Sequence, residues 1–178
     1  MSKLRAVIIM VLACVATAWA TTIVPMSVED LTRAASDVIE ARALETWCSW
    51  NAQHTLIYTY TTFQVSRRLK GEAPEIVTVK QLGGSADGYT QTVSGVRQFQ
   101  VGEQALLFLR PSIAADRTLV VVGLMQGHFL EYPAQDGATM VSNGVSGARK
   151  YDHGRIEDFG GSSMRLQDAE ARVMRSTQ

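Results

Sequence analysis

Between Leu56 and Val65 the chain reads Leu-Ile-Tyr-Thr-Tyr-Thr-Thr-Phe-Gln-Val, a run of β-branched and aromatic side chains. Such side chains lose rotamer freedom in a helix and pack well on a pleated surface, so this stretch commits the chain to a sheet. Side chains alternate along a strand, which places Ile57, Thr59, Thr61, Phe63 and Val65 on one face and Tyr58 and Tyr60 on the other. A strand needs partners, and the sequence offers several. Val38 to Leu44 alternates before it, and Glu75 to Leu82 resumes the pattern after the Lys70-Gly71-Glu72-Ala73-Pro74 turn, with Val77 and Val79 on one side. Gln104 to Leu109 and Leu119 to Gly123 are apolar enough to be buried on both faces. Met125-Gln126-Gly127 reads as the turn into a further strand, His128 to Tyr132. Within the Gly- and Ser-rich loop Gly83–Gly95, Tyr89 to Val93 is a short candidate strand. Five or six strands at this spacing close into a barrel or a sandwich.

Two helices flank the strands. Ser27-Val28-Glu29-Asp30 is a capping-box start with acids in the positive first turn, followed by an apolar stripe of Val28, Leu31, Ala34 and Ala35 that ends near Ser36-Asp37. Ala134 to Ser162 is rich in Gly, Ser and charge and is expected to form extended loops. Ser163 then caps a last helix with Leu166, Ala169, Val173 and Met174 on one side, docked on the strands, and with Asp168 and Arg172 spaced for a helical ion pair.

The N-terminus has a different character. Lys3 and Arg5 precede an apolar run, Ala6 to Val15, too short to span a bilayer, and Ala18-Trp19-Ala20 supplies small residues around a cut after Ala20. The expected organisation is a signal peptide over 1–20, a helix-plus-barrel domain over 21–132 and a loop-rich extension ending in a helix over 133–178. The mature chain would start at Thr21 and work in the periplasm or outside the cell. In a lesser alternative Val11-Leu12-Ala13-Cys14 acts as a lipobox and Cys14 carries a lipid anchor, although Leu12 fits that pattern poorly. Losing Lys3 and Arg5 leaves 15 basic residues against 17 acidic, a net charge of −2. That gives no electrostatic case for nucleic acid or an anionic membrane. Cys48 remains as a lone thiol, and burial is its preferred reading over a bridge between chains or a bound metal.

Ser36-Asp37-Val38-Ile39, Ile57-Tyr58-Thr59, Leu69-Lys70-Gly71, Gly83-Gly84, Phe99-Gln100-Val101-Gly102-Glu103 and Leu107-Phe108-Leu109 follow one another in this order. Together they resemble a group of secreted bacterial proteins without an assigned activity, over about Ser27 to Tyr132. Their arrangement is similar to the OB-like barrel of tissue inhibitors of metalloproteinases and netrin modules. The resemblance implies a five- or six-stranded OB-like barrel between a short N-terminal and a C-terminal helix. In those inhibitors an N-terminal cysteine chelates the protease's zinc. Thr21 stands at that place here and the family's disulfides are missing, so the resemblance implies the barrel and not that mechanism, and it lends no catalytic residue.

No catalytic or metal motif emerges from the residues, and no cofactor is indicated. His54, His128 and His153 lack the close spacing of zinc sites and read as chance surface histidines; Cys48 with His54 is the one local pair of soft ligands. Ser85 and Ser146 complete no nucleophile elbow, and Asp152-His153 lies in an irregular stretch. Glu103 precedes an apolar strand and reads as a turn residue whose carboxylate accepts from a nearby amide. The aromatic concentration of Trp47, Trp50, Tyr58 and Tyr60 is the strongest functional lead, a surface for sugars, peptides or another protein. The expected function is therefore that of an exported, non-enzymatic module binding a protein or cell-envelope ligand. Two other readings stay open: a secreted protease inhibitor presenting the Gly83–Gly95 loop, and a hydrolase with a site assembled from distant residues.

Overall fold

The β-branched run carries well beyond its own length. In the structure, a computed structural model describing residues 22–114, 116–143, 149–152, 155–158 and 161–178, strand β3 spans Ile57–Lys70. It pairs antiparallel with the equally long β2, Asp37–Trp50. The leader expected over 1–20, with Cys14, lies outside the described residues, as do Ser146 and His153. On β3 the alternation is as expected, with Ile57, Thr59, Thr61 and Phe63 buried and Tyr58 and Tyr60 half-buried on the other face.

On β2 the chain does something that alternation alone does not foresee. Its strand continues past Leu44, the expected end, because a register shift between Ala43 and Glu45 leaves Leu44 as an unpaired extra residue. Such a bulge reverses the alternation. Before it, Ile39, Ala41 and Ala43 are buried. After it, Thr46 and Cys48 take the face of Thr61 and Thr59, 3.2 and 3.3 Å from them respectively, with Thr46 exposed and Cys48 half-buried, and Trp47 and Ser49 take the other face.

The remaining strands are β4 (Ile76–Leu82), the hairpin β5 (Gly84–Ala86) and β6 (Tyr89–Gln91), β7 (Gln104–Pro111), β8 (Leu119–Val121), β9 (His128–Pro133), β10 (Thr139–Ser142) and β13 (Ser163–Arg165). A small separate sheet holds β1 (Thr22–Ile23), β11 (Arg149–Asp152) and β12 (Arg155–Asp158). The main sheet runs β13-β10-β9-β7-β2-β3-β4-β8, and β8 pairs in addition with β7. The ladder β7-β2-β3-β4-β8 thus returns to its starting strand. The β4–β8 contact is parallel and the others in the circuit are antiparallel. Residues 139–142 and 163–165, expected in loops or a helix cap, are strands because each finds a pairing edge, β10 between β9 and β13.

Strand β7 is buried on both faces from Ala105 to Leu109, as its composition implies. Ala105, Leu107 and Leu109 pack inside the circuit with Ile39, Ala41, Phe63 and Val79. Leu106 and Phe108 face the other way, onto Val28 and Leu31 of helix α1 (Val28–Ala34) and Ala169 and Val173 of α2 (Leu166–Ser176). The three residues of β8, expected to be buried on both faces, are half-buried.

Helix α1 has the capping box, with Asp30 N–H donating to Ser27 Oγ at 3.1 Å and Ser27 N–H to Asp30 Oδ2 at 3.2 Å. Its buried stripe takes Thr32 in place of Ala34, the hydroxyl donating to Val28 O at 2.7 Å. Helix α2 starts later than the expected Ser163 cap and buries Ala169 and Val173, whereas Met174 stays exposed. Arg172 reaches past the expected Asp168 to Glu29 of α1, donating at 2.7 and 2.6 Å, and this pair holds the Glu29 carboxyl near 2.

Beneath α2, Glu170 meets Glu40 of β2, Glu131 of β9 and Arg67 of β3, whose guanidinium lies 2.8 Å from Glu170 and 3.6 Å from Glu40. Burial, reinforced by the hydrogen bond and charge of Glu170, pushes Glu40 up to about 7. A carboxyl raised on folding stabilises the protein fully below its unfolded value and loses that contribution as pH rises through the folded one. Stability should therefore decline from about pH 4.5 to about 7, and Glu40→Gln should flatten that slope in urea titrations across the range.

The turn at residues 125–127 is present as a 3-10 segment, Leu124–Gly127, that carries the chain from β8 to β9. A side chain at Gly127 would meet the Val122 carbonyl oxygen at 2.5 Å and Phe108 Cβ at 3.2 Å. Gly127→Ala should cost about 1–3 kcal/mol in equilibrium unfolding, the usual range for forced overpacking.

Candidate functional site

The bulge at Leu44 turns Trp47 onto the outer face of β2, β3 and β4, where the alternation of β3 places Tyr58 and Tyr60. Trp47 lies directly across from Tyr60, and Tyr60 from Lys80, so the three form one row over neighbouring strands. The next row is Ser49, Tyr58 and Leu82. Trp47 and Tyr60 stack with ring centres 5.5 Å apart and planes 12° from parallel. Lys80 Nζ lies 4.3 Å from the centre of the Tyr58 ring and 5.5 Å from that of Tyr60. A cation over aromatic faces is held by their quadrupoles, which here pins the ammonium between the two tyrosines.

The loop joining β7 to β8 forms the opposing wall. Asp116 accepts from Lys80 Nζ at 2.8 Å and from the Thr118 amide at 3.2 Å. The Lys80 and Thr118 hydrogen bonds hold the Asp116 carboxyl well below the usual range. Burial alone would draw Lys80 down, but Asp116 and Tyr60 reverse this and leave it above its ordinary value. The ion pair divides the face into two hollows. One, of about 420 Å³, is bounded by Trp47, Ser49, Tyr60, Thr78, Asp116 and Thr118. The other, of about 560 Å³, extends from Tyr58 over aliphatic side chains.

Of the four aromatic residues singled out from sequence, the structure therefore brings together Trp47, Tyr58 and Tyr60. Trp50 belongs to a different cluster on the opposite side of the strand. Its indole donates to Asp87 at 3.1 Å, and its ring packs against His54 and Tyr89, each 5.7 Å away. Asp87 and Gly88 make the tight β5–β6 turn with φ of 50° and 81°, the left-handed pair that a two-residue hairpin requires. Ser85 lies on that hairpin, 2.8 Å from Thr90 Oγ1.

Lys80 and Asp116 join the site without any motif that announces them. The alternation of β4, with Val77 and Val79 inward, was the available signal for Lys80. Nothing local marks Asp116 as its partner.

His128 is a core residue and not a surface one, because its strand runs beside the buried middle of β7. Its ring lies 4.1 Å from that of Phe99, and burial, with the nearby Arg97 charge, pushes it down to about 3. Glu103 accepts from the Gln100 amide at 3.0 Å, as a turn residue would, and also pairs with Arg97 at 2.5 Å. Cys48 is a free thiol, half-buried, while His54 is engaged with Trp50. Among the described residues no three His, Cys, Asp or Glu side chains gather as a metal site, and no helix is long and apolar enough to cross a membrane.

No known family model matches this chain, and no curated protein matches it in sequence.

An aromatic row that faces solvent should be separable from folding. Trp47 is 41% exposed, so Trp47→Ala should cost about 1 kcal/mol through the lost stacking. Phe63→Ala, inside the circuit, should cost about 3–5 kcal/mol, and chemical denaturation of both variants measures the contrast.

Proposed function

We propose that this protein is an exported, non-enzymatic module, built on an OB-like barrel, that binds a protein or cell-envelope ligand on the outer face of β2, β3 and β4. The barrel reading is supported by the five-strand circuit that returns to β7 with one parallel contact, in an order that fits the OB-like arrangement suggested by the motif series. Export is supported by the positive front, short apolar run and small-residue cut site of residues 1–20.

The observation that carries the binding reading is the row Trp47, Tyr60 and Lys80 facing the β7–β8 loop across a hollow. Rigid aromatic surface of this kind contributes contact area at small entropic cost, and a loop opposite it can vary without disturbing the core. The charged groups on this face favour binding over proton transfer. Lys80 and Asp116 neutralise each other, and their values move away from neutrality in opposite directions.

The test is crosslinking and affinity capture from the native envelope fraction with the full mature chain as bait. Trp47→Ala should lose at least about 90% of the captured ligand while keeping the native circular dichroism spectrum. Undiminished capture by the folded variant would remove the aromatic row from the interface and this reading with it.

A further inference from the structure

The larger hollow, beyond Lys80 from Trp47, has an unusual combination of lining and charge. Its floor and walls are aliphatic, with Leu82 from β4, Val120 from β8, Val93 and Val96 from the segment after β6, Ile113 from the β7–β8 loop and Leu124 from the 3-10 segment. Ile113 is 92% exposed and Leu124 48% exposed. Exposed aliphatic surface gathered around one concavity marks a place where something apolar is meant to be covered. At about 560 Å³ the hollow falls in the size range of small-molecule sites.

The charged side chains of the lining are Lys80 and Arg110, both cationic, and no acidic side chain lines it. Lys80 is neutralised by Asp116. Arg110, on the exposed side of β7 across from Val120, makes no ion pair or side-chain hydrogen bond among the described residues. The hollow thus offers aliphatic walls with one uncompensated guanidinium at the rim. That group presents a planar fork of donors whose geometry matches a carboxylate.

From this charge complementarity we infer that the hollow binds a single-chain alkyl carboxylate, the chain lying along Leu82, Val120 and Ile113 and the head group paired with Arg110. The inference rests on the reading of the outer sheet face as a ligand platform and names the chemical class of one ligand. It places the alkyl chain on the opposite side of the Lys80–Asp116 pair from Trp47.

Titration calorimetry with the full mature chain tests it, using sodium dodecanoate below its micelle concentration, sodium decanoate, dodecanol and sodium acetate as probes. Dodecanoate should bind saturably at one per chain, decanoate about tenfold more weakly, since each buried methylene adds a near-constant increment, and acetate not measurably. Arg110→Gln should weaken dodecanoate about tenfold and leave dodecanol unchanged. Ile113→Asp should weaken both. Arg110 and Ile113 are exposed, so both variants should keep the parent unfolding midpoint, which is measured alongside.

Absence of saturable dodecanoate binding, or dodecanoate binding indifferent to Arg110→Gln, would overturn the inference. Trp47→Ala separates the two readings, because it should leave dodecanoate binding intact while removing envelope capture. Lost capture in that variant with no dodecanoate binding by the parent chain would sink the alkyl site and spare the platform.

Discussion

The double burial of β7 is the constraint on which the rest of this structure depends. A strand with apolar side chains on both faces cannot lie at a surface, and its backbone cannot leave donors or acceptors unpaired. Here β2 takes one edge, and β9 and β8 share the other in succession. Leu107 and Leu109 then draw in the side chains that fill the circuit, while Leu106 and Phe108 demand a cover on the far face. The two helices are that cover. They meet the same strand from opposite ends of the sequence, joined by a guanidinium and a carboxylate 143 residues apart.

This arrangement explains which parts of the fold are legible in the sequence. The capping box of α1 is readable because its chemistry is local, a hydroxyl and a carboxylate three residues apart. The strands β3, β4 and β7 are readable because their side chains are β-branched or continuously apolar. The bulge at Leu44 is not, since which residue is left unpaired depends on the register against β3 and on no property of leucine itself. The same holds for the partners of Arg172 and Lys80. Arg172 has a nearer acid in Asp168, nothing local marks Asp116 for Lys80, and the tertiary arrangement makes both choices.

The candidate site was half legible for the same reason. A cluster of aromatic residues around a long hairpin is visible in composition, but the face each one takes is a matter of parity. Tyr58 and Tyr60 keep the parity of β3. Trp47 joins them because one extra residue shifts the count on β2, and that same shift sends Trp50 to the other side with Asp87 and Tyr89. His128 looks exposed as a polar residue opening a strand, and is buried because the strand beside it is apolar on both faces from Ala105 to Leu109.

The succession of β8 and β9 along one edge of β7 has a mechanical consequence. Where they part, the Gly127 amide donates to the Val122 carbonyl at 3.0 Å, and a side chain at Gly127 would run into Val122 and Phe108, so the connection leaves no room for one. The seam joins the ring of strands on one side to the helix-covered leaf on the other. A side chain forced in at that crease would therefore disturb both parts at once.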